Sequence, residues 1–405
     1  MNELTSLGII LLLALLAGHL VQVLRIPEVT GYILAGCALG PSALGWVSHE
    51  NLQALSILSE VALGLILFSI GSVFEYNLLL RFGKRILRLT LIESALASVL
   101  VTGGMLALGQ DWQISFLLGA IAIATAPAST LMVIRECNSR GPLSDTLLGI
   151  IAINNILCII AYSLVGAAIS LIGGWSGFET LPTTLYHALF PLAWQLIGSV
   201  ALGFLVGLIL AGWASQVHET GEMLILLAGS ILLCVGVAEM FDLSPLVASL
   251  AVGATMVNLS QRSRRLFHTL SGTDPPFYAI FFVIAGADLD ITSIPEMGRL
   301  GVVYLTARAV GKFLGATLGS RVLGLDAKVQ QYLGYALMAQ AGLAVGLMMA
   351  AQTQFPEYAA TIKTVVLSSV AIYEMFGPIS ARYAIVRAGE ARLKELDSGS
   401  IWAVE

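Results

Sequence analysis

The sequence predicts an all-α polytopic membrane protein with about thirteen transmembrane helices. Of its 405 residues, 57% are hydrophobic and only 11% are charged, a composition that soluble domains of this size do not show. The apolar residues form runs of about 20, the length that crosses a bilayer as a helix. The short alternating segments that build outer-membrane barrels do not occur in the sequence.

Pro, Gly and clusters of charge divide the apolar runs into thirteen predicted spans. In order, these are 7–24, 30–47, 52–73, 86–108, 113–134, 146–172, 186–213, 221–241, 245–259, 276–287, 298–322, 329–351 and 362–386. The tenth span, 276–287, is short, and we expect it to be tilted, broken or re-entrant. The first run has no basic leader before it, which favours a retained helix over a cleaved signal peptide.

The placement of Lys and Arg predicts the orientation, because positively charged loops stay on the cytoplasmic side. With thirteen alternating spans, only Arg299 and Lys363 among the basic residues in the loops and at the span ends fall on one side. The other side carries Arg25, Arg81, Lys84, Arg85, Arg88, Arg135, Arg140, Arg262, Arg264, Arg265, Arg321, Lys328, Arg382, Arg387, Arg392 and Lys394. We therefore expect an outside N-terminus and a cytoplasmic C-terminus in a bacterial inner membrane.

Two of the spans contain residues that interrupt a helix. In the fifth span, Pro127 lies between the hydroxyl residues Thr125 and Ser129, and in the twelfth span Gly342 follows Gln340. Proline removes a backbone donor, and unwound backbone at membrane depth is tolerated only inside protein or beside a polar cavity. Paired interruptions in the two halves of a chain indicate a transporter with inverted repeats and a site near the midplane.

Five motifs occur in order along the chain. They are PEVTGYILAG (27–36) with LGPS (39–42), LILFSIG (65–71), ATAPA (124–128) with RE (135–136), ARAVGK (307–312) and QAG (340–342). Together they resemble the bacterial monovalent cation:proton antiporter family, in its branch of sodium/proton exchangers and potassium-efflux transporters. The resemblance extends over nearly the whole chain, to about residue 387.

The resemblance implies a sodium/proton antiporter fold with inverted repeats, two crossed broken helices, a dimerisation part and a mobile core. We expect residues 1–388 to form the transporter domain, with a core that includes 86–172 and 298–386, and residues 389–405 to form a short cytoplasmic tail. The implied function is not enzymatic: secondary active exchange of Na⁺ or K⁺ for protons by an elevator-type movement. The expected partners are membrane lipid and a second copy of the chain.

Several ligand classes are not expected. The transported Na⁺ or K⁺ and protons are cargo, so we expect no cofactor. Metal-spaced clusters of His and Cys do not occur in the sequence, which argues against a metal site. We expect neither a nucleic-acid partner nor an attached nucleotide-binding domain in this chain, because it carries no Gly-rich nucleotide fingerprint.

The chain departs from the family at Asn154-Asn155, where the resemblance predicts Asp-Asp or Asn-Asp. The second position normally holds a carboxylate for which a proton and a cation compete. Asn155 cannot titrate, although its amide oxygen can coordinate a cation. The predicted ion-site residues are Asn154, Asn155, Thr125, Ser129 and Glu374, with Arg308 and Lys312 as electrostatic partners and Pro127 and Gly342 at the helix breaks.

One explanation of the departure is that proton coupling has moved to another intramembrane acid. The candidates are Glu374, Glu239, Glu93 and Glu60. Glu374 ranks first, because it follows the second broken helix much as the Asn pair follows the first, and an ionisable residue deep in a span is a functional hypothesis by default. The competing explanations are an ion pair of Glu374 with Arg308 or Lys312, and a helix-packing or cavity-facing role for the other three acids.

Two further explanations remain open from the sequence. Arg308 and Lys312 lie one helical turn apart on one face, and with the positive ends of half-helices they could hold an anion, which would make the protein an anion or uncoupled solute carrier. Alternatively, the chain is a transport-inactive member of the fold, or one in which the asparagines were engineered in place of Asp.

Overall fold

The computed structural model describes residues 3–24, 26–71, 74, 76–173, 181–217, 219–260, 263, 266–267, 270, 275–289 and 295–392. The orientation predictions made on Arg25, Arg262, Arg264, Arg265 and Lys394 lie outside these residues. The same holds for the predicted tail beyond Arg392.

The described residues form a helical protein. Its α-helices are α1 (Glu3–Val23), α2 (Glu28–Leu39), α3 (His49–Gly71), α4 (Tyr76–Ala107), α5 (Trp112–Ile121), α6 (Pro127–Glu136), α7 (Pro142–Gly173), α8 (Leu181–Ala214), α9 (Thr220–Met240), α10 (Pro245–Leu259), α11 (Pro275–Ala287), α12 (Gly298–Val322), α13 (Ala327–Ala336), α14 (Gly342–Gln354) and α15 (Ala359–Ala388). A 3₁₀ turn, Pro295–Met297, precedes α12.

The pairs α5/α6 and α13/α14 are each two halves of one predicted span. With each of these pairs counted once, the fifteen described helices correspond to the thirteen predicted spans, and the predicted fold class is confirmed. Six of the helices are each long and apolar enough to cross a membrane. The short tenth span is an unbroken 13-residue helix, α11.

Residue types account for where several helices begin and end. Pro127 and Pro245 occupy the first turns of α6 and α10, where the missing backbone donor costs nothing. Ser244 caps α10 by accepting from the backbone amide of Val247 at 3.3 Å. Gly389, with φ of 73°, ends α15 in the left-handed conformation that glycine adopts without strain.

The two sequence halves repeat one pattern, in which a long helix precedes a broken helix and a second long helix follows it. In the first half these are α4, α5/α6 and α7, and in the second half α12, α13/α14 and α15. This arrangement is the inverted repeat that the two interrupted spans predicted.

Helices α4 and α12 pack with almost no space between their backbones. Gly311, Gly315 and Gly319 form a row at four-residue spacing on the face of α12 that meets α4, as small residues do at close helix crossings in membranes. A Cβ added at Gly315 would lie 2.7 Å from the Cα of Glu93. This close approach brings the carboxylate of α4 within reach of the basic side chains of α12.

The remaining helices form a second packed group around α2, α3, α10 and α11. A Cβ at Gly36 of α2 would lie 2.1 Å from the carbonyl oxygen of Val283 in α11, and one at Gly253 of α10 would lie 2.0 Å from that of Phe68 in α3. Glycines thus allow both helix pairs to pack backbone against backbone. The helices of this group do not contain the two breaks.

After α15 the chain packs onto the connection between α6 and α7. The carboxylate of Glu390 accepts from the backbone amides of Leu143 at 2.7 Å and Ser144 at 2.9 Å, and from the Ser144 hydroxyl at 2.7 Å. These amides belong to the first turn of α7, where helix donors lack partners and a negative charge is favourable. Glu390 therefore fastens the end of α15 to the start of α7.

Replacing Glu390 with Ala is expected to lower the thermal-unfolding midpoint of the purified protein. The substitution leaves three buried donors at the start of α7 without their acceptor, a loss of about 2 kcal/mol. Intrinsic-fluorescence unfolding in detergent measures it, with exposed Glu219→Ala as the matched control. Equal midpoints for the two variants would mean that the donors find other acceptors.

Candidate ion site at the crossing of the broken helices

The two helix breaks meet at one point inside the protein. The backbone amide of Ala126, in the first break, donates to the carbonyl oxygen of Ala339, in the second, at 3.0 Å. Helix α15 packs onto the same point, since a Cβ at Gly377 would lie 2.5 Å from the Cα of Ala339. The two broken helices therefore cross, as predicted, and Pro127 and Gly342 begin the second half of each.

Arg308 of α12 binds both breaks. Its buried guanidinium donates to four carbonyl oxygens, those of Ala122 at 3.1 Å, Ala124 at 2.6 Å, Met338 at 2.8 Å and Ala339 at 3.3 Å. It also lies over the ring of Tyr373, 4.4 Å from the centroid. These carbonyls follow the C-terminal ends of α5 and α13, where helix acceptors lack partners and the helix dipole is negative. Arg308 supplies both the donors and the positive charge there.

Lys312, one turn further along α12, is held differently. Its ammonium lies 2.6 Å from Oε1 of Glu93, and both side chains are fully buried. The same nitrogen donates to the carbonyl oxygen of Ile123 at 2.6 Å and to Oγ1 of Thr125 at 2.9 Å. A carboxylate of α4 is thus joined through an ammonium of α12 to the unwound backbone of the first break.

Asn154 of α7 completes this cluster. Its Nδ2 donates to Oε2 of Glu93 at 3.0 Å and to the hydroxyl oxygen of Ser94 at 3.1 Å, and that hydroxyl donates to Glu93 at 3.2 Å. The amide oxygen of Asn154 is buried without a hydrogen-bond partner in the described part of the chain. The buried carboxylate therefore has a charged partner on one oxygen and neutral donors on the other, the arrangement that a buried ion pair requires.

Asn155 points into a cavity beside the first break. The cavity lies between α6 and α7 on one side and α3 and α10 on the other, and its walls include Leu67, Leu246 and Leu250. The amide oxygen of Asn155 and the hydroxyl of Ser129 are both buried without hydrogen-bond partners among the described residues. Unpaired buried oxygens of this kind can coordinate a cation that has lost its water.

In the described structure, the carboxyl group of Glu374 forms no ion pair with Arg308 or Lys312. Glu374 is buried, and its Oε2 has no hydrogen-bond partner in the described part of the chain. The ion pair of Glu374 with Arg308 or Lys312, raised as an alternative, is wrong, because carbonyl oxygens bind Arg308 and Glu93 binds Lys312. The residue before Glu374, Tyr373, packs on Arg308, so Glu374 lies close in sequence to the crossing without joining its ion pair.

Glu93 was one of four candidate acids in the sequence and ranked below Glu374. In the structure it is the carboxylate that pairs with Lys312. The signal available in the sequence was charge balance, since a buried ammonium requires a buried acid. Four acids could supply the carboxylate that neutralises Lys312. The glycine row of α12 selects Glu93, because it brings α4 close to α12, and this contact is visible only in the folded chain.

The comparisons with known proteins place this arrangement in a family. A family model described as the transmembrane domain of sodium/hydrogen exchangers matches residues 8–379. The chain belongs to this family. The prediction from the five motifs is therefore confirmed. The carboxylate that pairs with Lys312 at the crossing belongs to α4.

Individual relatives agree with this assignment. The ammonium/H⁺ antiporter subunit AmhT of Alkalihalophilus pseudofirmus is 24% identical over 83% of this chain and 83% of its own. A glutathione-regulated potassium-efflux system protein of Haemophilus influenzae is 26% identical over 98% of this chain, which spans only 64% of that relative. These relatives are described as transporters, in keeping with a protein that is not an enzyme.

A solved structure supports the fold. The sodium proton antiporter MjNhaP1 of Methanocaldococcus jannaschii superposes with a TM-score of 0.73 over 98% of this chain and 99% of its own, at 18% identity. At that identity the likeness establishes the architecture and not the transported ion.

Proposed function

We propose that this protein exchanges a monovalent cation, Na⁺ or K⁺, for protons, and that the Glu93–Lys312 pair couples the two. The observation that carries the proposal is a fully buried ion pair at the point where the two broken helices cross. Ionisable groups at membrane depth are costly to keep and mark ion and proton pathways. The family assignment supports the same activity.

The exchange follows from competition for one carboxylate. A cation that binds Glu93 displaces the ammonium of Lys312, and a buried ammonium without its partner is unfavourable, so Lys312 releases a proton. The neutral oxygens of Asn154, Asn155 and Ser129, which have no hydrogen-bond partners among the described residues, would complete the shell of the cation. In one state the site holds a carboxylate and an ammonium, and in the other a carboxylate, a cation and a neutral amine. Its charge is the same in both, so one cation exchanges for one proton without net charge movement.

The same cluster argues against an anion carrier. Lys312 is neutralised by Glu93, and the donors of Arg308 are directed at four carbonyl oxygens. An anion at the crossing would have to displace Glu93 from Lys312 or the carbonyl oxygens from Arg308, and either exchange leaves buried polar groups without their partners.

For the transport step we propose an elevator-type movement in a homodimer. The core, with residues 86–172 and 298–386, would slide against α3 and α10 across the cavity that Asn155 lines. The cavity walls from α3 and α10, which include Leu67 and Leu246, are apolar, so sliding there breaks few polar contacts.

The proposed orientation places the basic residues at the ends of α6, α12 and α15 in the cytoplasm of a bacterial cell. Examples are Arg135, Arg321 and Arg387.

Proteoliposomes with an imposed pH gradient and an internal pH dye test this proposal. Addition of Na⁺ or K⁺ is expected to drive proton flux in the wild-type protein, with Li⁺ and NH₄⁺ as alternative cations and choline as the inactive control. Clamping the membrane potential should leave the rate unchanged. Flux that follows chloride instead would favour an anion carrier, and absence of flux with every ion would favour an inactive member of the fold.

The same assay separates Glu93 from Glu374 as the titrating group. Glu374 is retained as the second candidate, because within the described ranges its buried carboxyl has no ion-pair partner. If the pair Glu93–Lys312 couples exchange, Glu374→Gln should keep flux within about threefold of wild type. Loss of flux in Glu374→Gln, with normal folding, would transfer the coupling role to Glu374.

Asn155→Asp is expected to make the exchange electrogenic. The new carboxylate would release a second proton when the cation binds, so two protons would move per cation and the rate would respond to membrane potential. The added charge should also strengthen cation binding roughly tenfold. Asn155→Gln, which adds no charge, is the matched control. Potential-independent flux in Asn155→Asp would show that this position lies outside the ion pathway.

A further inference from the structure

One carboxylate connects the helix group of α2 with the helices that form the crossing. Glu136, the last residue of α6, accepts from the backbone amide of Glu28 at 2.9 Å through Oε2. Its Oε1 lies 2.7 Å from a guanidinium nitrogen of Arg382 in α15. Glu28 begins α2, which packs on α1 and α11 and does not contribute to the ion-pair cluster. The contact therefore joins α6 and α15 to a helix that belongs to the other part of the molecule.

Charged or titratable side chains from α2, α6 and α15 surround Glu136. From α2 comes the carboxylate of Glu28, which accepts from the hydroxyl of Tyr32 at 3.0 Å and from the amide of Gln22. From α15 comes Arg382. On α6 itself, Arg135 lies over the ring of Tyr278 in α11, 5.6 Å from the centroid, and Cys137 follows as a buried thiol. The side chains of Glu136 and Arg382 are 11% and 17% exposed, so protons from the aqueous face can reach the pair.

Glu136 lies beyond the end of the fifth predicted span, so its carboxyl group can exchange protons with the aqueous solution on that face. Burial raises the pKa of its carboxyl group, the Glu28 amide and Arg382 act in the opposite direction, and the Glu28 carboxylate raises it again. The net shift is upward, so the carboxylate is present above the raised pKa and is lost as the pH falls through it. Protonation removes the charge that Arg382 pairs with and weakens the bond from the Glu28 amide.

We propose that Glu136 is a latch that holds α6 and α15 against α2 in the conformation seen here and releases them when this face of the protein is acidified. The inference rests on the proposed function in one respect, namely that the core moves relative to α2 during transport. A 2.9 Å hydrogen bond does not survive a displacement of several ångströms, so the latch must open in every cycle. Acidification would then remove a restraint on the movement.

Hydrogen–deuterium exchange of the full chain in nanodiscs tests the latch without any transport readout. The amides of residues 28–32, in the first turns of α2, report on the contact, after correction for the intrinsic pH dependence of exchange. In the wild type, we expect their protection at pH 8 to fall about tenfold when the pH is lowered to 4.5, since the pKa of Glu136 lies above its usual value. In Glu136→Gln, the lower protection is expected at both pH values.

Two further variants control for fold and charge. Glu219→Gln should retain the wild-type pH dependence, because it removes an exposed carboxylate at the start of α9. Arg382→Lys should retain it as well, because lysine keeps an ion pair with Glu136. Unchanged protection of α7 would confirm that Glu136→Gln is folded. Wild-type protection of residues 28–32 in Glu136→Gln at both pH values would overturn the latch, and so would a pH-independent wild type. Because exchange is read from amides, either result stands even if no cation drives proton flux.

Discussion

Glu93→Gln is expected to abolish cation-driven proton flux, with a decrease of roughly 100-fold or more. The amide keeps the size of the side chain and its bond to Asn154, but it leaves the buried ammonium of Lys312 without a counter-charge, which costs about 3 kcal/mol or more. A cation entering the site would meet only neutral oxygens. Competition between ammonium and cation, which couples the two fluxes, would disappear with the charge. Internal pH recorded in proteoliposomes after addition of Na⁺ or K⁺ measures this effect.

Removing the partner charge should have a different consequence. Lys312→Met leaves Glu93 as a buried charge without a cation, and we expect a fall in stability of about 3–5 kcal/mol. The double variant Glu93→Gln with Lys312→Met removes both charges, so most of that stability should return. Its transport should nevertheless remain absent, because neither a cation-binding carboxylate nor a proton-releasing amine is left.

These variants distinguish coupling from folding. Thermal unfolding followed by intrinsic fluorescence should rank the double variant above Lys312→Met, while proton flux should be absent from both. If Glu93→Gln retains cation-dependent flux at more than about a tenth of the wild-type rate, the ion pair has a structural role only. A tenfold decrease in rate corresponds to about 1.4 kcal/mol of transition-state free energy. Glu374 would then become the first candidate for the coupling group.

Arg308→Met is expected to destabilise the protein strongly. The guanidinium donates to four carbonyl oxygens of the two helix breaks, of which that of Ala339 also accepts from the amide of Ala126. Hydrogen bonds from a charged donor contribute about 1.5–3 kcal/mol each. Methionine fills part of the volume but donates nothing, so all four carbonyls would lose their charged donor at membrane depth. Allowing for relaxation and entry of water, we expect a loss of about 4 kcal/mol and a much lower yield of monodisperse protein.

The controls for Arg308 come from the same helix. Arg299→Met removes an exposed arginine at the other end of α12 and should leave the unfolding midpoint within a degree or two. Arg308→Lys should be intermediate, because an ammonium has three donors for four carbonyls and lacks the flat fork of the guanidinium. An unfolding midpoint for Arg308→Met equal to that of Arg299→Met would mean that water satisfies the breaks and that Arg308 does not hold them together.

Much of the fold followed from local features of the chain. Apolar runs of about 20 residues gave the thirteen crossings, and Pro127 and Gly342 marked the two breaks, because helix length in a bilayer and the loss of backbone donors are properties of short segments. The motifs indicated the family. The identity of Asn154 and Asn155 also excluded a titrating group at the usual position on α7, since an amide cannot ionise.

The assignment of partners within the site depended on the tertiary structure. From the sequence, Glu60, Glu93, Glu239 and Glu374 were competing acids, and Arg308 and Lys312 looked alike. The row of glycines on α12 brings α4 close enough for Glu93 to reach Lys312, while Arg308, one turn away, meets the carbonyls of both breaks.

The sequence by itself determined that this chain is a membrane exchanger with two broken helices and no carboxylate at Asn154-Asn155. The tertiary structure decided which acid neutralises which cation and which of them binds the unwound backbone. The physical reason is range: hydrophobic length and helix breaking act within one segment, whereas a buried charge is compensated by whichever group lies within about 3–4 Å, however far away it is along the chain.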